Sequence, residues 1–186
     1  MTHRGMMVCV VPAALLLMVV GCGNDKGAQK PAQPASTPYG TVEEVAHYLE
    51  QINPYIQTVS SLQAHVEKQV GSSGRATADN LAKAMRDVQP QLQQAIDEFG
   101  RIQPPGLLAN FHARIARLMA TRMEAYALTI RGQESAQAAD QPAWHAQVEA
   151  KLEEANTLIS QLNEEMHRIN DALQASVAAP TRVASP

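Results

Sequence analysis

The sequence predicts an all-α protein: an antiparallel bundle of about four helices, with proline kinks in the first two. Three observations carry this prediction. Apolar residues between Val42 and Val177 recur at steps of three and four, which keeps them on one face of a helix. No window shows the period-two alternation of a half-buried strand. The periodic stretches are joined by short segments rich in glycine, proline or small polar residues, and short connections favour antiparallel neighbours.

Each element has its own signals. Thr41-Val42-Glu43-Glu44 is a capping box, in which threonine accepts from a backbone N–H while Glu44 reaches back. The first apolar stripe follows through Val45, Leu49, Ile52, Ile56, Val59, Leu62, Val66 and Val70, and the GSSG at 71–74 ends it. A second stripe runs through Leu81, Met85, Val88, Leu92, Ile96, Phe99 and Ile102, until QPPG from Gln103 stops it. The third stripe is Leu108, Phe111, Ile115, Leu118, Met119, Met123, Tyr126 and Ile130. After a polar segment from Gly132, Asp140 is placed to cap a fourth helix with Pro142 in its first turn. Its stripe is Trp144, Val148, Leu152, Ala155, Ile159, Leu162, Met166, Ile169, Leu173 and Val177.

Pro54 and Pro90 interrupt the first two stripes, and each removes a helix hydrogen bond and forces a kink. Counted from the intervening turn they fall at nearly one level, so the first hairpin is expected to bend there as a unit. The third helix carries Arg114, Arg117, Arg122 and Arg131 against two glutamates, whereas the fourth is mostly acidic, so the two are expected to pair. Each exposed ion pair adds only about 0–1 kcal/mol; it selects the neighbour, and burial supplies stability.

The N-terminal stretch has a different logic. MTHRGMM carries one cation, Val8–Val20 is apolar apart from Pro12, and small or modest side chains precede Cys22. A basic start, an apolar run and a small-residue cleavage site mark a secretory signal. The run is too short to span a bilayer, which takes about 20 apolar residues. The stretch VVGC resembles the lipobox of bacterial lipoproteins. That resemblance implies cleavage between Gly21 and Cys22, with a diacylglyceryl group attached to the Cys22 sulfur. Gly23 rather than aspartate after the cysteine implies the periplasmic face of the outer membrane over the inner membrane. One acyl chain binds membranes marginally, whereas two or more anchor stably.

The expected organisation is a signal peptide (1–21), a lipidated cysteine and tether (22–38), a helical bundle (39–177) and a loose tail (178–186). The tether GNDKGAQKPAQPASTP has three prolines and no apolar cluster, so it buries too little to fold. The resemblance implies that Cys9 leaves with the signal and Cys22 carries lipid, so no internal disulfide is expected in the mature chain. Of 15 cations only Arg4 is lost and none of the 18 acids, which leaves a net charge of −4. A weakly acidic chain with 4% aromatics lacks the basic stripe of a nucleic-acid binder.

Chemistry-bearing patterns are sparse. Glu-x-x-His occurs twice, as Glu44/His47 and Glu164/His167. Di-metal bundles use such motifs aimed inward, but helical geometry turns His47 about 150° and His167 about 110° from their apolar stripes. His112, Met119 and Met123 share a face of the third helix, yet His112 and Met119 stand about 10 Å apart, too far for one copper ion. There is no CxxCH for haem, no G-x-S-x-G and no phosphate-cradling loop. The string PPGLLANFH at 104–112 resembles the proline-opened helices of uncharacterised helical lipoproteins. No enzyme activity and no cofactor are expected. The expected function is an envelope lipoprotein, held to the membrane by its lipid, that acts through contacts with another envelope protein as adaptor, assembly helper or inhibitor. The alternative is a ligand- or metal-binding bundle with His112, Met119 and Trp144 as candidate ligand contacts. What lines the bundle axis discriminates the two.

Overall fold

The computed structural model describes residues 35–72, 77–134 and 141–178, all within one unit spanning Pro34–Pro186. The signal, Cys22, most of the tether, Asp140 and the tail beyond Ala178 lie outside the described residues. The chain is all-α as predicted, with four helices packed against one another. They are α1 (Val42–Ser72), α2 (Ala78–Phe99), α3 (Ala109–Glu134) and α4 (Gln141–Ala178). Among the described residues no helix is long and apolar enough to cross a membrane.

A short hairpin precedes the helices. Strand β1 (Ser36–Thr37) pairs antiparallel with β2 (Gly40–Thr41), so part of the stretch read as tether is ordered against the bundle. Composition hid it because two-residue strands need no apolar alternation. Gly40 adopts φ 129°, a left-handed value that a side chain resists, and a Cβ there would meet Glu44 Oε2 at 3.2 Å. The Thr37 hydroxyl donates to Gly40 O at 2.9 Å and accepts from Tyr39 N at 3.0 Å, which fixes the turn.

The capping box forms as the sequence requires. Thr41 N donates to Glu44 Oε2 at 3.0 Å, and Glu44 N to Thr41 Oγ1 at 3.2 Å. The Thr41 N–H and the Thr41 hydroxyl, which also donates to Glu44 Oε2 at 2.9 Å, favour the charged carboxylate and lower its pKa. Helix α1 then runs 31 residues, with Gly71 inside its last turn rather than beyond it. Thr77 caps α2 by accepting from Asn80 N at 3.2 Å. The PPGLL segment opens α3 through a 3-10 turn (Gly106–Leu108), in which Leu108 N–H donates to Pro105 O at 2.8 Å.

Neither proline breaks its helix: Pro54 lies inside α1 and Pro90 inside α2. Both rings are exposed, so the carbonyls of Glu50 and Arg86, four residues back, lose their helix donor on a face that water reaches. Their expected common level is not met. Pro54 lies 18 residues before the end of α1 and Pro90 12 after the start of α2, an offset of about 9 Å. Pro54 faces Gln91, Gln94 and Ala95, the turns that follow Pro90.

Helices adjacent in sequence pack side by side: α1 on α2, α2 on α3, and α3 on α4. The expected charge pairing of α3 with α4 is present. Arg117 bonds Glu154 at 2.8 Å, Lys151 bonds Glu124 at 2.6 Å, and Arg114 pairs with Glu165. Arg122 departs from that pattern: it lies beside Tyr126 and within the field of Glu67 on α1, and burial lowers its guanidinium pKa.

No comparable interface joins α1 to α4 among the described residues. The hairpin sits there instead, and Ser176 Oγ donates to Ser36 O at 3.0 Å. With one helical neighbour rather than two, α4 buries a narrow strip. Ala155, Leu158, Leu162 and Ile169 are buried, Trp144 and Val148 only half-buried, and Val177 is 74% exposed. At 38 residues α4 is about 57 Å long.

Candidate functional site

The polar and aromatic chemistry of the described chain concentrates where α1, α2 and the start of α3 meet. The α3 stripe points Phe111 into the core and leaves His112, one residue on, at the rim. Helix α1 contributes Tyr48 and α2 ends on Phe99, each 1% exposed. The His112 ring stacks on Phe99 with centroids 4.2 Å apart and planes 11° from parallel. Its Nδ1 lies 3.1 Å from the Tyr48 hydroxyl. Tyr55 meets the far side of the cluster edge-on, 6.1 Å from Phe99. Every buried side-chain nitrogen and oxygen among the described residues has a hydrogen-bond partner.

Burial sets the electrostatics of this pair. Desolvation pushes the Tyr48 phenol well above its ordinary range, so it stays protonated. The same effect lowers the pKa of His112, which favours neutral imidazole. With the His112 proton on Nε2, Tyr48 donates to Nδ1, and protonation of Nδ1 reverses that bond. Because the folded-state pKa lies below the unfolded one, this histidine's contribution to stability is complete above about pH 6.5 and is lost as pH falls through the lowered value. Urea unfolding between about pH 5 and 8 should therefore show stability rising with pH, and a smaller slope in His112→Gln. Equal slopes would refute the assignment.

Beside this cluster the seam between α1 and α2 opens into two adjoining clefts. One, of ≈ 400 Å³, is lined by Gln51, Tyr55, Glu98, Arg101, Ile102 and Gln103. The other, of ≈ 340 Å³, shares Tyr55 and Glu98 and extends past Pro54 toward Gln91. The Glu98 carboxylate accepts from Gln94 Nε2 at 2.8 Å. Arg101 lies past the α2 terminus at Gly100, and its backbone N–H donates to Glu98 O at 3.1 Å.

The residues singled out from sequence do not converge. His112 belongs to the cluster at the start of α3, Met119 is 2% exposed in the core, and Trp144 sits at the opposite end of α3. Its indole N–H donates to Leu128 O while the ring lies against Gly132, 20 residues or about 30 Å along α3 from His112. In the Glu-x-x-His motifs, Glu44 is engaged in the cap, His47 bonds Gln51 at 3.1 Å, and Glu164 and His167 are exposed. No group of three or more His, Cys, Asp or Glu among the described residues is placed to hold a metal.

The cleft residues were missed because single polar residues on amphipathic helices read as solvated face. A signal existed in the spacing: Gln51, Tyr55 and Thr58 form one row on α1, and Gln91, Gln94 and Glu98 form one on α2. Tyr55 lies 17 residues before the end of α1 and Ala95 17 after the start of α2, so antiparallel pairing sets the rows face to face. Comparison of the chain with family models, with curated proteins and with solved structures finds no match in any of the three.

Proposed function

We propose that this protein is a lipid-anchored lipoprotein of a bacterial envelope that acts through contacts with another envelope protein and performs no catalysis. The single observation that carries this reading is the stretch LLLMVVGC, an apolar run that ends in a small residue and a cysteine. Thioether-linked acyl chains on Cys22 anchor the chain at about 0.8 kcal/mol per buried CH₂. Residues 23–34 then separate lipid from hairpin, and their composition fits a tether. The domain is held close to the headgroups and free to turn toward a partner.

The contact role draws support from the bundle axis. Ile52, Leu92, Phe111 and Met119 are buried in it, and a packed apolar interior leaves the outer faces as the working surface. The ligand-binding alternative draws its support from the α1–α2 clefts, which lie on the flank and not on the axis.

Cys22→Ser tests the anchor. The wild-type chain should incorporate labelled palmitate, sediment with envelope membranes and shorten by 21 residues, whereas the variant should take up no label and lose membrane association. A serine variant that still sediments with membranes and migrates like wild type would end the reading. Cross-linking in intact envelopes then tests the contact role, because a specific cross-linked partner is its direct product.

A further inference from the structure

We propose that the α1–α2 cleft binds a small zwitterion: a free α-amino acid or dipeptide with an apolar side chain. The proposal goes beyond the contact reading and does not depend on Cys22.

Two opposite charges line one cleft without pairing. Glu98 and Arg101 stand three residues apart and both border the ≈ 400 Å³ space, yet they make no ion pair with each other. The local chain explains why. Gln94, one turn back on α2, holds the Glu98 carboxylate, while Arg101 lies in the turn that follows Gly100. Tyr55 and Ile102 line the same space. A ligand that is only an anion meets Glu98 beside Arg101, and one that is only a cation meets the reverse. A ligand that carries both signs satisfies both walls.

The donors and acceptors fit that class. A guanidinium matches a carboxylate with two parallel hydrogen bonds. The Arg101 guanidinium, the Tyr55 hydroxyl and the Gln103 amide make no hydrogen bond among the described residues, so they are available to a ligand. Glu98 retains lone pairs for an ammonium after accepting from Gln94. The Tyr55 ring is propped edge-on by Phe99, so its position is set before a ligand arrives. Ile102 completes an apolar floor.

Size narrows the class further. Pockets for drug-sized ligands span about 300–1,000 Å³, and this one is near the lower end. The adjoining ≈ 340 Å³ cleft shares Tyr55 and Glu98 and extends the floor along Ala95 and Pro54, which gives room for the second residue of a dipeptide. The clefts are open to solvent, so binding is weak, with Kd of about 0.1–1 mM.

The test is a calorimetric titration of the full chain with leucine, leucyl-leucine, N-acetyl-leucyl-leucine and leucyl-leucine amide. Leucyl-leucine should bind saturably, and blocking either end should weaken it about tenfold or more, because each block removes one charge-assisted bond. Whether leucine matches leucyl-leucine decides between amino acid and dipeptide. Arg101→Gln should erase the difference between free and amidated peptide, and Glu98→Gln that between free and acetylated peptide. Both variants should melt as wild type does, since neither residue supports the core; Arg101→Lys should recover part of the discrimination. Equal binding of all forms, no binding at about 10 mM, or variants that keep full discrimination would overturn the proposal.

Discussion

Truncation of Phe99 to alanine is expected to cost about 3–5 kcal/mol of folding stability, the range for removing a large aromatic from a packed core. Phe99 is 1% exposed and stands where three helices meet, stacked on His112 of α3 and meeting Tyr55 of α1 edge-on. Its removal opens a cavity that none of the three backbones can close alone. A single domain has about 5–15 kcal/mol in total, so the variant should unfold at much lower urea. Phe99→Leu keeps most of the volume and should lose appreciably less. Loss of the aromatic stack should also let His112 take up water, so in Phe99→Leu the pH dependence assigned to His112 should weaken. Equal stability of Phe99→Ala and wild type in chemical denaturation would show that this junction does not hold the helices together.

Gly132→Ala should act at the other end of the molecule. An alanine in a helix interior is ordinarily favoured over glycine by about 1 kcal/mol. Here its Cβ would fall 1.9 Å from the Trp144 ring, far inside contact distance. Either α4 shifts or the indole leaves, and overpacking of this kind costs about 1–3 kcal/mol, more than propensity returns. The Trp144 bond to the Leu128 carbonyl is lost with it. Because this is the single tryptophan of the chain, its fluorescence reports the event directly. The expected result is a red-shifted, more quenchable emission with a destabilised fold. A blue shift, or a gain in stability, would mean that Trp144 does not dock on Gly132.

Much of this was legible before any coordinates. Thr41 and Glu44 announce the start of α1 because a capping box is a local exchange of hydrogen bonds between residues three apart. The stripe from Leu108 to Ile130 is legible for the same reason: period and face depend on neighbours along one helix. The cleft was not legible, since Tyr55 and Glu98 are 43 positions apart and neither breaks a rule of its own helix. Gly132 escaped notice likewise, because a glycine in a polar segment reads as a turn, whereas it lies inside α3 and admits a tryptophan from α4. The two prolines were read as kinks at one level, and that level depended on where α1 and α2 end, which shifts by a turn without changing either stripe.

The sequence by itself determined the class of fold, the order and approximate bounds of four helices, and the charge match between α3 and α4. The tertiary structure alone decided that α4 leans on one neighbour, that a hairpin occupies the flank a fourth interface would have taken, and that Glu98 and Arg101 border one open space without meeting. The reason is physical. Periodicity states which side of a helix is apolar, but crossing, height and partner are set by how side chains from different helices fill a shared volume, and that is a property of pairs that a single strip of sequence does not contain.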